Sequence, residues 1–240
     1  MNFNKIKNGN RNILIGCHLL NTELISKVPK STIILNTEQI HSDDTAWNSN
    51  IFEWVKHFEV WDYSPRNIEK LNMLGVSNAK HLRIGFQKEL KRIPKPLTKD
   101  IDVLFYGSRN ERRNKIIEEL QANGLKVEVL FGVYGSERDK FISRSKVVLN
   151  HHFYRSEIFE IVRVFYLLCN EVAVVGEVNE TTFIEDWWKE AVCGAPYGQL
   201  VNQCIRLTKD DLERCAFEKK GFELIKSHPQ VQYTSEILTS

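Results

Sequence analysis

The stretch LNHHFYRSEIFEIVRVFYLLCNEVAVVGE, Leu149 to Glu177, decides how this chain is read. It opens on the end of an apolar strand, passes through an apolar helical stretch and closes on a second strand, EVAVVGE (171–177). Apolar runs that do not alternate suit strands covered on both faces, as in a parallel sheet flanked by helices. The same stretch carries His151 and His152 side by side, and Glu157, Glu160 and Arg163 spaced three apart. Within a helix over 156–170 that spacing predicts a shared face. As an intrahelical ion pair these groups would add only about 0.2–0.5 kcal/mol. Burying charge without a partner is unfavourable, so the stripe should face water or a ligand.

The same alternation extends in both directions. Toward the C-terminus come DWWKEAV, YGQLVNQCIRLT and DDLERCAFEKKGFELIKS, read as closing helices. Trp187 and Trp188 read either as core or as a platform for a sugar or partner. Toward the N-terminus, DVLFYGS (102–108) and KVVLNHHF (146–153) read as strands. RNERRNKIIEELQANG (109–124) reads as a helix, LKVEVLFGVYG (125–135) as a strand with a glycine loop, and SERDKFISRS as a short helix capped by Ser136. Before these, QKELKRIPKPLTKDID is charged, holds two prolines and lacks periodicity, which is linker composition. The first half repeats the pattern with NILIGCHLL, STIILNTEQI, EVWDYS and KHLRIGF (80–86) as strands. Ser64 and Pro65 open a helix that Gly75 ends.

The expected fold is therefore α/β, with two Rossmann-like doubly wound lobes: a reduced lobe over 1–90 and a second over 91–240. Open parallel sheets bind ligands beyond the carboxyl ends of their strands. That directs attention to the loops after Gly107, Phe131, Asn150 and Val175, all in the second lobe.

Composition bounds the alternatives. The chain has 240 residues and a net charge of +2, so no global charge calls for nucleic acid. Five cysteines, at 17, 169, 193, 204 and 215, form no pair with zinc spacing and fit reduced thiols in the cytosol. The N-terminus lacks the apolar stretch of a signal peptide, and no run reaches the roughly 20 apolar residues of a membrane helix. The expected location is cytoplasmic, with peripheral association at the inner membrane face left open.

At the strand ends, Gly107, Ser108, Arg109, Arg112 and Arg113 stand where a strand turns into a helix. Such a turn attracts phosphate through backbone N–H groups and guanidinium forks, or is simply a solvated basic face. Phe131 and Gly132 begin a loop that could support a flat base or be an ordinary turn. Asn150 and His152 border the next strand end. Neighbouring strand residues point oppositely, so one histidine at most enters a given pocket, and His151 is expected to point away.

With these residues in view, Leu149–Glu177 resembles the donor-binding segment of GT-B glycosyltransferases, in which a strand, an acidic helix and an apolar strand follow in this order. YLLCNEVAVVGE occupies the place of the family's EAMACGVPVVAS, LRIGF resembles the strand closing its N-terminal domain, and DVLFYGSRNERR its first C-terminal strand and phosphate loop. The resemblance covers about residues 58–177. It implies a metal-independent hexosyltransferase-type enzyme that takes a nucleotide-sugar, UDP- or GDP-linked, as co-substrate and needs no cofactor. It implies catalytic roles for Glu160, His152 and Arg163. Donor contacts are implied for Gly107, Ser108, Arg109, Arg112, Phe131, Gly132, Asn150 and Glu157. The acceptor stays open between glycan, lipid, protein and small molecule, and the oligomeric state is not read. His18, Glu38 and Asp62 are candidates on the acceptor side. Tyr166 stands where the family places a second acid, and Glu171 and Ala173 replace its Gly and Pro. The alternative reading is a nucleotide-sugar-binding or scaffold subunit without transfer activity.

Overall fold

Nine short strands carry the chain. They are β1 (Ile13–Ile15), β2 (Ile33–Asn36), β3 (Glu59–Asp62), β4 (Ala79–His81), β5 (Ile101–Tyr106), β6 (Val127–Leu130), β7 (Ser145–Asn150), β8 (Ala173–Glu177) and β9 (Cys193–Ala195), counted among the described residues. Between and after them lie α1 (Ala46–Val55), α2 (Pro65–Met73), α3 (Glu111–Ala122), α4 (Gly135–Arg144) and α5 (Ile161–Cys169). α6 (Asp186–Ala191), α7 (Leu200–Lys209), α8 (Asp211–Lys226) and α9 (Gln230–Thr239) follow. The structure, a computed structural model, describes residues 11–40, 46–96, 98–154 and 157–239. Residues 1–10, on which the signal-peptide reading rests, and Ser156, the expected helix start, lie outside the described residues.

The chain forms two compact units. One runs to Ile84 and includes the residues from Tyr233 on; the other runs from Gly85 to Gln232. The Pro/Lys stretch thus belongs to the second unit. One buried side chain explains why: Arg92 and Ile93 both donate their N–H to Asn170 Oδ1 at 2.9 Å, and Asn170 Nδ2 donates to the Leu90 carbonyl at 2.8 Å.

In the first unit four parallel strands stand in the order β1-β2-β3-β4. Leu14, Ile34 and Val60 face α1 and α2, packing against Ile51, Trp54, Val55 and Leu71. Ile33 and Trp61 face the other way, where Ile237 of α9 covers them. α2 begins at Pro65 as predicted, but the Ser64 hydroxyl makes no capping bond; the Ser64 N–H instead donates to Asp62 Oδ1 at 2.8 Å. The strand expected over 80–86 ends at His81.

The second sheet has the order β6-β5-β7-β8-β9, again parallel. Val103, Val147, Leu149 and Val175 pack on α3 and α7. Leu104, Val148 and Val174 pack on α5, α6 and α8. Trp188 is buried in that layer, and Trp187 packs against it, so both belong to the core. Helices thus cover both faces, which is why the strands are continuously apolar. The chain leaves β5 for β6 on one side and returns past it to β7 on the other. The strand order therefore reverses at the β5/β7 gap, the kind of place where open α/β sheets bind ligands.

Two helix starts differ from expectation. α4 begins at Gly135 after Tyr134, not at a Ser136 cap. α5 begins at Ile161 rather than near residue 156. Glu157 has φ 48, its carbonyl accepts the Phe183 N–H at 3.3 Å, and Ile158 forms a bridge with Phe183. These contacts with Phe183 hold residues 157–160 as an arm outside the helix. Among the described residues, no helix is long and apolar enough to cross a membrane.

Candidate functional site

Three strand ends, those of β5, β7 and β8, bring their polar residues together. Asn150, the last residue of β7, is fully buried. Its Nδ2 donates to Glu160 Oε2 at 3.0 Å, and its Oδ1 accepts from Arg163 Nη1 at 3.0 Å. Glu160 occupies the N-cap position of α5, and Arg163 lies three residues on, so the two project toward one strand end despite the short helix. Glu160 Oε1 also accepts from Arg113 Nη2 at 3.2 Å, and its Oε2 faces His152 Nδ1 at 3.5 Å. Burial pushes the Glu160 carboxyl up, but His152, Arg163 and Arg113 outweigh it and hold it down at about 2. Glu160 is thus an ionised hub whose oxygens are taken by protein groups.

Glu177, at the end of β8, has no exposed surface. Arg112 meets it with both guanidinium nitrogens, Nη1 at 2.7 Å from Oε2 and Nη2 on Oε1. The His152 N–H donates to Glu177 Oε2 at 2.9 Å, and Asn179 Nδ2 to Oε1 at 2.7 Å. Burial raises this carboxyl too, yet Arg112 and His152 bring it below the usual range. Arg113 is buried, donating to the carbonyls of Ser108 (3.0 Å) and His151.

Arg163 differs from its neighbours. Among the described residues no carboxylate lies at ion-pair distance from it, and Asn150 is its hydrogen-bond partner. Its Nη2 lies 2.9 Å from where a Cβ on Gly107 would stand. Gly107 has φ +129, a backbone conformation that favours glycine, and a side chain there would have to push the guanidinium aside. Arg163 therefore bridges the β5 and β7 ends at the reversal of strand order. Arg112 and Arg113 thus have Glu177 and Glu160 as ion-pair partners, whereas the half-buried Arg163 has the neutral Asn150 amide.

The other expected residues fall at varying distances from this cluster. His152 is buried, with Nε2 3.1 Å from Thr182 Oγ1. His151 is also buried, its ring 5.1 Å from that of Phe105. Burial and the Arg113 charge lower the His151 imidazole to about 3, so it is neutral. Glu157 turns to Asn179 and Thr181. Ser108 and Arg109 are exposed in the loop after β5, with Arg109 Nε donating to Asn114. Phe131 and Gly132 are exposed after β6. The sequence does not single out Glu177, and it places Arg113 at the β5–α3 turn without a donor contact of its own. Among the described residues, no three His, Cys, Asp or Glu side chains are grouped as metal ligands.

This architecture matches solved glycosyltransferases. TarM of S. aureus, solved with UDP and alpha-GlcNAc-glycerol, has TM-score 0.60 at 13% identity, over 90% of this chain and 57% of its own. HepE of Anabaena, solved with UDP and glucose, has TM-score 0.64 at 10% identity, over 90% of this chain and 72% of its own. The UDP-forming trehalose-phosphate synthase of Burkholderia xenovorans has TM-score 0.57 at 8% identity, over 96% and 73%. The chain has the GT-B fold. At these identities the likeness is one of fold. No family model matches the sequence. Among curated proteins it is similar to uncharacterized protein L140 of Acanthamoeba polyphaga mimivirus, 28% identical over 203 residues. It is also 29% identical over 209 residues to uncharacterized protein L138 of the same virus. The matches cover 81% and 82% of this chain but 64% and 22% of those proteins, so it spans only part of their length. In this GT-B chain the reversal of strand order, and with it Arg163, lies in the second unit.

Proposed function

We propose that the protein is a glycosyltransferase whose second unit binds a nucleoside-diphosphate sugar at the carboxyl ends of β5, β7 and β8. The observation that carries this reading is the Arg163 guanidinium at the β5/β7 gap, against the backbone of Gly107 and, among the described residues, with no carboxylate at ion-pair distance. A guanidinium bonded to a neutral amide rather than a carboxylate, beside a glycine that admits close approach, suits an anionic ligand. In this reading the diphosphate meets Arg163 and the backbone of Gly107 and Ser108, with Arg109 at the rim. Phe131 and Gly132 flank the base. Asn150, Glu160 and His152 hold Arg163 in place and border the sugar. The guanidinium stabilises the charge that develops on the departing diphosphate, so catalysis is chiefly electrostatic and needs no metal. The donor is UDP- or GDP-linked, and the acceptor is a hydroxyl-bearing molecule of unspecified class.

One observation favours binding without transfer. Tyr166 stands where the family resemblance places an acid, and its hydroxyl is bonded to Asp139 (2.7 Å) and Arg92 (3.0 Å). The deciding experiment is calorimetry with UDP and GDP, followed by a hydrolysis screen over UDP- and GDP-sugars. Binding and slow donor hydrolysis are expected for a transferase, and binding alone for the second reading. Folded protein that binds neither nucleotide overturns both.

A further inference from the structure

Arg112 and Arg163 both lie beside the β5–α3 turn, yet their environments are opposite. Both terminal nitrogens of the partly exposed Arg112 guanidinium are committed. Its fork closes on Glu177, its Nη1 also donates to the His152 carbonyl at 3.2 Å, and its guanidinium lies over the Tyr197 ring, 3.9 Å from the centroid. The Tyr197 hydroxyl returns to the Arg112 carbonyl at 2.8 Å. Glu177 is equally filled, with Arg112, the His152 N–H and Asn179 on its two oxygens. A carboxylate accepts about four such bonds. If Arg112 swung out to a ligand, it would strand a fully buried carboxylate.

We infer that Arg112 is a positioning residue and not a donor ligand: with Glu177 and Tyr197 it forms a closed strut that fixes the His152 peptide. The inference rests on the proposed donor site. The strut acts through the chain. Glu177 and Arg112 grip the N–H and the carbonyl of His152, two residues after Asn150. The His152 ring faces Glu160, Glu160 holds Asn150, and Asn150 holds Arg163. The guanidinium offered to the ligand is therefore that of Arg163, at a point that the Arg112 strut sets through His152, Glu160 and Asn150.

The sign of one substitution separates the two roles. Glu177→Gln removes a negative charge. If Arg112 were a diphosphate ligand restrained by Glu177, the change would release it and tighten UDP binding. If Arg112 is a strut, the amide turns a donor toward donors, the His152 peptide loosens, and UDP binding weakens. We expect UDP affinity to fall tenfold or more in Glu177→Gln. Arg112→Lys should fall similarly although its charge is kept, because an ammonium cannot close the fork. Arg163→Lys should lose only a few-fold, since a point charge still serves a phosphate, while Arg163→Ala loses far more. Calorimetry with UDP and GDP on variants shown by circular dichroism to be folded gives the answer. Tighter UDP binding by Glu177→Gln overturns the inference, and so does Arg112→Lys binding within twofold of the parent. Should Glu177→Gln not fold, Arg112→Lys decides alone by that same criterion. Parent protein that binds neither UDP nor GDP overturns the donor-site reading, and this inference with it.

Discussion

Arg163 reaches across the gap between β5 and β7 until its Nη2 lies 2.9 Å from the point a Cβ of Gly107 would occupy. Gly107→Ala should act twice. The backbone at φ +129 resists a side chain, a strain of about 1–3 kcal/mol. The methyl group also has to displace the guanidinium. A lower thermal midpoint is expected, together with at least a tenfold loss of UDP affinity by calorimetry. In an Arg163→Ala background the same glycine change should cost little further affinity, since the displaced group is gone. Undiminished UDP binding by Gly107→Ala would remove Arg163 from the site.

Glu160 gives an acid limb to the stability curve. Its folded value is about 2, below the roughly 4.3 of an unfolded glutamate. A depressed acid contributes stability that is complete above the unfolded value and is lost as pH falls through the folded one. The contribution is about 3 kcal/mol at neutral pH from a shift of this size. Urea titrations from pH 7 to pH 2 should show this loss in the parent, and Glu160→Gln should be less stable at pH 7 with a flatter acid limb. Parallel curves for the two proteins would mean that Glu160 is not held ionised by its neighbours.

Asp62 works in the opposite sense. It is fully buried, and burial raises its carboxyl to about 7 although Asn36, the Ser64 N–H and Asn67 donate to it. Between about 4 and 7 the folded state holds more protons than the unfolded chain, so stability should fall as pH rises through that window. Asp62→Asn should abolish this slope. It should also weaken the loop after β2, because the Asn36 amide would then face an amide nitrogen. The measurement is the parent-minus-variant stability at pH 5 and pH 8. A difference that is unchanged between the two would show that Asp62 stays ionised.

The second sheet was legible where burial wrote a plain signal. β5, β7 and β8 read as apolar runs because helices cover both faces, and their ends named Gly107, Asn150 and His152. β9, three residues with a glycine at the centre, carries no periodicity to read. The three-residue spacing of Glu157, Glu160 and Arg163 suggested one helical stripe, but bonds from Phe183 hold Glu157 outside α5. Glu160 and Arg163 still converge, because the N-cap position and the third helical residue project to the same side. Sequence did not distinguish Arg112 from Arg113, since which one is buried depends on where α3 starts. Glu177 did leave a sign, an acid closing an otherwise apolar strand, and its meaning came only with its four hydrogen-bond donors.

Glu171 occupies the left-handed conformation, φ 53, where the family resemblance places a glycine. Its carboxylate is gripped by Lys91 and Lys95, half-exposed residues of the segment before β5. Replacing it by glycine should relieve about 1 kcal/mol of backbone strain and forfeit two screened ion pairs of about 0–1 kcal/mol each. Near-neutrality is expected at low salt. At high salt, where the pairs fade, Glu171→Gly should be the more stable protein by urea unfolding. A variant destabilised equally at both ionic strengths would mean that the lysines hold the segment by packing rather than charge.

Tyr166 and Asp139 are coupled. The tyrosine hydroxyl donates to Asp139 Oδ2 at 2.7 Å, Arg92 Nε lies 3.2 Å from the same oxygen, and both side chains are buried. An acid at position 166, as the family resemblance would place there, brings a second carboxylate against Asp139, beside the guanidinium groups of Arg92 and Arg138. Two carboxylates sharing a buried site cannot both ionise freely, and one is driven to keep its proton. Tyr166→Glu should therefore destabilise the protein at pH 8 by about 1–3 kcal/mol, the range for losing the buried hydrogen bond to Asp139, with Arg92 and Arg138 offsetting part of the repulsion. The deficit should shrink at pH 5, where protonation is easier and the raised acid favours the folded state. Asp139→Asn in the same chain should recover much of the loss, whereas Asp139→Asn alone should be mildly destabilising. Thermal melts of the four proteins at the two pH values form a double-mutant cycle. Additive effects in that cycle would show that the tyrosine is at 166 for a reason other than Asp139.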